Sequence, residues 1–158
     1  MNTRRKKSYF PPGAGSPPPI VAEITRRVHF SEADPMAVMW HGRYPLLFEE
    51  AAEALGRRCG LSYAEFFAAG LRGPIVSLHI DYYQSLFLDD EYTVRASLLW
   101  AEGARLNTEF HIFKADGSLA TSGYTVQLFT DHLSGEPCLV SPEMLETCRK
   151  RWLAGEFH

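Results

Sequence analysis

The segment Phe30 to Ala51, FSEADPMAVMWHGRYPLLFEEA, brings a carboxylate near a place suited to a developing negative charge. Asp34 precedes Pro35, and a residue before proline is pushed out of helical geometry. Asp34 is therefore expected in a loop, displayed rather than woven into a ladder. His41 follows seven positions later, where a helix is expected to begin. The first N–H groups of a helix have no carbonyl partner inside it and carry the positive end of its dipole. Such amides can hold an oxyanion. Gly42 would let a substrate approach the backbone closely. A carboxylate and an amide donor on one loop suit attack on a carbonyl carbon. The carboxylate activates water or attacks directly, while the donor polarises the oxygen.

Each of these residues also has a plainer use. An Asp before Pro commonly caps a turn, and a histidine at a helix start is commonly solvated. Trp40 fits a core or interface position. Glu49 and Glu50 fit a charged helix face, and Asp81, in HIDYY, fits a strand edge. Nucleophile-elbow, phosphate-loop, dinucleotide-binding and HExxH motifs are absent from the sequence. Cys59, Cys138 and Cys148 are too far apart for metal-ligand spacing and read as free thiols, which fits a reducing, cytoplasmic compartment. No metal or cofactor is implied.

Positioning these groups takes a folded domain, and 158 residues with 46% hydrophobic and 22% charged composition are enough for one. A net charge of −3 argues against binding nucleic acid by phosphate neutralisation. No apolar run approaches the roughly 20 residues of a membrane-spanning helix. Residues 1–20 carry Arg4, Arg5, Lys6, Lys7 and five prolines, and read as a disordered tail ahead of a single domain over 21–158.

Within that domain, period-two alternation predicts a strand over 24–30, with Ile24, Arg26, Val28 and Phe30 on one face. Tyr44, Leu47, Phe48, Ala51, Ala54 and Leu55 recur at helical spacing and predict a helix over 42–59, closed by Gly60. Pro45 fits only its first turn. A capping-box pattern at Ser62 and Glu65 predicts a short helix over 62–69. Strands are expected over 75–83, 92–100, 105–114 and 119–130, with a hairpin at Asp116-Gly117 and a terminal helix over 141–152. This order is α+β, with a mainly antiparallel sheet curled around one long helix.

VHFSEADPMAVMWHGRYPLLFEEA resembles the signature of the hotdog-fold acyl-CoA thioesterases of the 4-hydroxybenzoyl-CoA thioesterase / YbgC-like family. Asp34, Trp40, His41 and Tyr44 match it in order and spacing. HIDYYQSLFLDDEYTV and GSLATSGYTVQLFTD resemble the family's later strands, so the likeness spans about residues 22–133. The resemblance implies a five-stranded antiparallel hotdog sheet around a central helix. It implies Asp34 as general base or nucleophile and the position-41 amide as oxyanion donor. The His41 side chain would orient substrate or water, with Gly42 and Tyr44 at the substrate. It also implies a homo-oligomer, dimer or tetramer, joined at the strand over 75–83.

The substrate would be an acyl-CoA or an acyl-carrier-protein thioester, its carrier met by Arg57, Arg58, Arg72 or Arg105. The chain departs from the pattern twice. Phe30 stands where some relatives have tyrosine, and the loop after Asp34 reads Pro-Met-Ala rather than glycine-rich. Two other readings use the same residues. One is a hotdog dehydratase pairing His41 with Glu49 or Glu50. The other is a non-catalytic subunit that binds an acyl carrier.

Overall fold

The structure is a computed structural model and describes residues 8–158. Its elements run β1 (Ile20–Arg27), α1 (Tyr44–Cys59), α2 (Tyr63–Ala68), β2 (Leu71–Arg72), β3 (Ile75–Tyr82), β4 (Glu91–Leu99), β5 (Arg105–Lys114), β6 (Leu119–Leu128), β7 (Thr130–Asp131) and α3 (Glu143–Leu153). Single 3-10 turns cover Phe30–Glu32 and His41–Arg43. Five strands form one antiparallel sheet in the order β1-β4-β5-β6-β3, and β2 pairs with β7 in a small separate ladder. With α1 packed on β1 and β4, this is the hotdog arrangement expected from the sequence.

The inner stripe of α1 explains its seat. Leu47, Phe48, Ala51 and Leu55 are buried, one helical turn after another. Phe48 stacks on Phe110 of β5, with ring centroids 4.3 Å apart. Phe110 is paired across the ladder with Gly123 of β6. A side chain at Gly123 would meet the backbone oxygen of His79 and the Phe48 ring, so the missing Cβ is what lets helix and sheet close together there. Gly60 ends α1 in the left-handed conformation, φ 80°, as its position predicts.

Four expectations shift. The first strand covers 20–27, not 24–30, because its partner β4 begins at Glu91, opposite Arg27. Val28 is buried, but Phe30 leaves the sheet in a 3-10 turn and is 86% exposed. The helix begins at Tyr44, and the 3-10 turn at 41–43 replaces its expected first residues. Proline in the first turn is accommodated by this tighter entry. The last long strand breaks at Phe129, whose N–H turns to Ala104 O, so Thr130 and Asp131 pair with β2 instead.

The fourth shift is at the N-terminus. From Ser8 onward the tail lies along the sheet instead of extending free. The backbone N–H groups of Tyr9 and Phe10 donate to Glu109 Oε1 at 2.7 and 3.0 Å. The Tyr9 hydroxyl donates to Asp81 Oδ2 at 2.6 Å. Both rings pack on Tyr124. Low hydrophobicity over 1–20 concealed two aromatics and a buried acceptor for their amides. The basic run at Arg4 to Lys7 lies outside the described residues. Among the described residues, no helix is long and apolar enough to cross a membrane.

Candidate active site

Asp34 sits in a tight loop that folds back on itself. Ala33 pairs with Met39, the Asp34 N–H donates to Val38 O at 2.8 Å, and the Ala37 N–H donates to Asp34 O at 2.9 Å. Asp34 Oδ1 accepts from the N–H groups of Met36 at 2.8 Å and Val38 at 3.4 Å. Oδ1 organises the turn, and Oδ2 accepts no hydrogen bond among the described residues. Ala37 adopts φ 61°, a left-handed conformation costing a non-glycine residue about 1–2 kcal/mol. Four apolar side chains on or beside this loop, Phe30, Met36, Trp40 and Phe87, are more than half exposed.

Two bonds close the base of the loop. Glu32 O accepts the Trp40 N–H at 2.9 Å, and the buried Glu32 carboxylate holds Arg43 through a short ion-paired hydrogen bond. The other Glu32 oxygen accepts the His29 N–H at 2.9 Å. Arg43 also reaches Glu50, which pairs with Arg26. Glu32 thus ties the Asp34 loop to the 3-10 turn that opens α1. The sequence offered a signal, an acid two residues before Asp34 and an arginine before the helix. It went unused because neither residue lies on a periodic face. Glu32→Gln keeps an oxygen for the His29 N–H but removes the carboxylate charge that holds Arg43. We expect it to lower kcat about tenfold with KM little changed, measured by steady-state thioester cleavage beside a melting curve.

The 3-10 turn holds the proposed donors. Arg43 N–H donates to Trp40 O at 3.0 Å, so the amides of His41 and Gly42 precede the first one satisfied within the turn. His41 and Tyr44 line a cavity of about 300 Å³ with Met39, Tyr82 and residues 83–85. Tyr82 donates its hydroxyl to His41 O at 3.4 Å, and its ring meets Tyr44 edge-on at 4.9 Å. Asp34 is not in that wall, so a single chain groups His41 with Tyr44 and leaves Asp34 on the adjoining loop. Gly42 has a different neighbour from the one expected. The Trp40 indole lies across it, within 2.3 Å of where a Cβ would stand, so the space meant for substrate holds a side chain.

Tyr44 is buried, and burial first, then the nearby Tyr82 phenol, pushes its pKa up to about 12. The folded state then keeps a proton that the unfolded state loses near its ordinary value of about 10. The unfolded chain binds fewer protons over that interval, so stability falls as pH rises from about 10 to 12. Tyr44→Phe should flatten this alkaline loss in denaturant titrations taken across the same interval.

The remaining candidates are dispersed. Glu50 is engaged by Arg43 and Arg26, and Glu49 accepts from the Tyr63 hydroxyl at 3.4 Å. Neither is paired with His41, whose ring lies 5.3 Å from that of Trp40. Arg57 pairs with Glu53, Arg58 donates to Phe157 O, and Arg105 donates to Asn107. None of the four carrier candidates borders the His41 cavity. Asp81 is held by Tyr9 and His79 beneath the N-terminal segment. Among the described residues, no group of His, Cys, Asp and Glu is arranged to hold a metal ion.

Comparison with known proteins agrees with this fold. YneP of Bacillus subtilis is 24% identical over 110 residues, 70% of this chain and 80% of that one. The 1,4-dihydroxy-2-naphthoyl-CoA hydrolase of Crocosphaera subtropica is 23% identical over 129 residues, 81% of this chain and 92% of the relative. Among solved structures, the DHNA-CoA thioesterase of Staphylococcus aureus superposes with a TM-score of 0.76 at 24% identity, covering 86% of this chain and 93% of that one. The Staphylococcus aureus protein SAV2348, solved in complex with CoA, superposes with a TM-score of 0.76 at 20% identity, covering 90% and 88%. Residues 28–148, which contain the Asp34 loop, α1 and strands β3 to β6, match the family model, and the chain belongs to the Thioesterase-like superfamily.

Proposed function

We propose that this thioester hydrolase cleaves acyl-CoA, with Asp34 as general base or nucleophile and the turn at His41 as the oxyanion site. One observation carries the reading. Asp34 has one oxygen pinned by two amides and the other left open, on the loop that delivers the unsatisfied amides of His41 and Gly42. A carboxylate whose turn is already formed pays little further entropy to meet a carbonyl carbon. The amides polarise the thioester oxygen as it gains charge. His41 orients water or the departing thiol from the cavity it shares with Tyr44, and Gly42 contributes its backbone amide beneath the Trp40 indole.

Coenzyme A is the preferred carrier because relatives are named for CoA thioesters and one neighbour was solved with CoA. An acyl carrier protein is the alternative. The working unit in this reading is a homodimer joined along β3. That strand is an edge of the sheet, and its Ile75, Val76 and Leu78 are about half exposed. A second copy would bring further walls to the rim around Asp34. The dehydratase reading loses its His–Glu pair here and is not favoured.

The test is thiol release from butanoyl-, dodecanoyl- and benzoyl-CoA and from an acyl carrier thioester, followed with a thiol reagent. Release from at least one CoA ester supports the reading. Hydration of an enoyl thioester without thiol release, or carrier binding without turnover, contradicts it.

A further inference from the structure

Helix α1 covers β1 and β4 and reaches β5 and β6 through Phe48, but beside that contact a gap separates it from the sheet. A trough of about 480 Å³ fills the gap. It follows α1 from Pro45, one residue past Tyr44 and the His41 turn, to Cys59 near the helix end. Fourteen steps of about 1.5 Å from Pro45 to Cys59 make it about 21 Å long. Its floor is the stacked Phe48–Phe110 pair, and Leu78 of β3 forms the far wall. Midway along the helix wall is Ala52, where a larger side chain would close the passage. The lip is acidic: Glu49 sits beside the Tyr63 hydroxyl, and Glu53 is paired with Arg57.

We propose that this trough is the acyl site and that it selects an extended, unbranched aliphatic acyl chain of up to about 16 carbons, since a zigzag chain advances about 1.25 Å per carbon along a helix run of about 21 Å. The proposal rests on the thioesterase reading above and adds the substrate class. The carbonyl sits at the His41 turn, and the chain runs down α1 past Ala52. A fused aromatic acyl group is flat and short. It would fill one end of the trough and leave the rest of the apolar wall in water. The Glu49 carboxylate at the lip repels an acyl group that ends in a second carboxylate. Each methylene buried along the floor should raise kcat/KM about three- to fourfold until the trough is full.

Two measurements test this. Thiol release is followed with butanoyl-, octanoyl-, dodecanoyl-, benzoyl- and succinyl-CoA, for wild type and Ala52→Phe. Calorimetry measures binding of the inert thioethers S-butyl-, S-dodecyl- and S-benzyl-CoA to the same two proteins, with Ala52→Leu as a milder block in case the phenylalanine disturbs folding. The expected result is a dodecanoyl-to-butanoyl ratio of at least 30 in wild type, with benzoyl and succinyl esters poorer than dodecanoyl. The blocking variants should reduce that ratio at least tenfold. S-dodecyl-CoA should bind at least 30-fold tighter than S-benzyl-CoA. A flat chain-length profile with active enzyme overturns the proposal and leaves the thioesterase reading intact. Absence of thiol release overturns the reading, and the thioether series then decides the trough by itself. Equal binding of the dodecyl and benzyl thioethers, or a ratio unmoved by both variants, overturns the substrate class.

Discussion

Asp34→Asn should lower kcat/KM for acyl-CoA cleavage by a factor of about 10² to 10⁴, the scale of losing a positioned general base. The substitution isolates charge from architecture. Asparagine retains an oxygen to accept the Met36 and Val38 amides, so the turn around position 34 persists. Its amide nitrogen, placed where Oδ2 stood, can neither take a proton from water nor attack a carbonyl carbon. Melting temperature and circular dichroism should match wild type while thiol release is nearly abolished. Asp34→Ala also removes the turn acceptor and should cost about 1 kcal/mol of stability on top of the activity. Asparagine turnover within threefold of wild type would remove this carboxylate from the mechanism.

Gly123→Ala should be the most damaging single methyl in the core. Its Cβ would stand 2.3 Å from the backbone oxygen of His79 and 2.7 Å from the Phe48 ring. The ring can tilt, but the oxygen belongs to β3, which is hydrogen-bonded to β6 through the same stretch. Relief requires moving either the edge strand or the helix. Overpacking of this kind costs typically 1–3 kcal/mol, and the backbone clash places this case at about 3. For a chain of this size that is roughly a 6–12 °C drop in melting temperature. The same shift lifts Phe48 off Phe110 and deforms the trough floor, so long-chain turnover should fall more than short-chain turnover. A variant as stable as wild type would show that α1 does not seat where described.

The periodic elements were legible in the sequence because burial writes directly into spacing. Leu47, Phe48, Ala51 and Leu55 gave α1, and Gly60 gave its end. Asp116-Gly117 gave the β5–β6 hairpin, with Gly117 at φ 84°. The boundaries that moved were set by partners rather than by the local pattern. β1 stops where its partner β4 begins, and β6 breaks where Phe129 turns toward Ala104. Tyr9 and Phe10 were unreadable in a proline-rich tail because their anchor, Glu109, is about a hundred residues away.

At the site, residue type and spacing raised Asp34 and His41 and the family resemblance added Tyr44; the structure groups His41 with Tyr44 and sets Asp34 on the adjoining loop. The Glu32–Arg43 link was missed for want of any periodic cue. At Gly42 the structure adds the Trp40 indole lying over the residue, which spacing does not reveal.

The account depends on where a thioester carbonyl comes to rest. A crystal structure of Asp34→Asn with an unhydrolysed acyl-CoA would measure it. The prediction is a carbonyl oxygen about 2.7–3.1 Å from the backbone N–H of His41 or Gly42, with residue 34 facing the carbonyl carbon. A thioester bound away from that turn, or residue 34 facing solvent with the ligand in place, would contradict it.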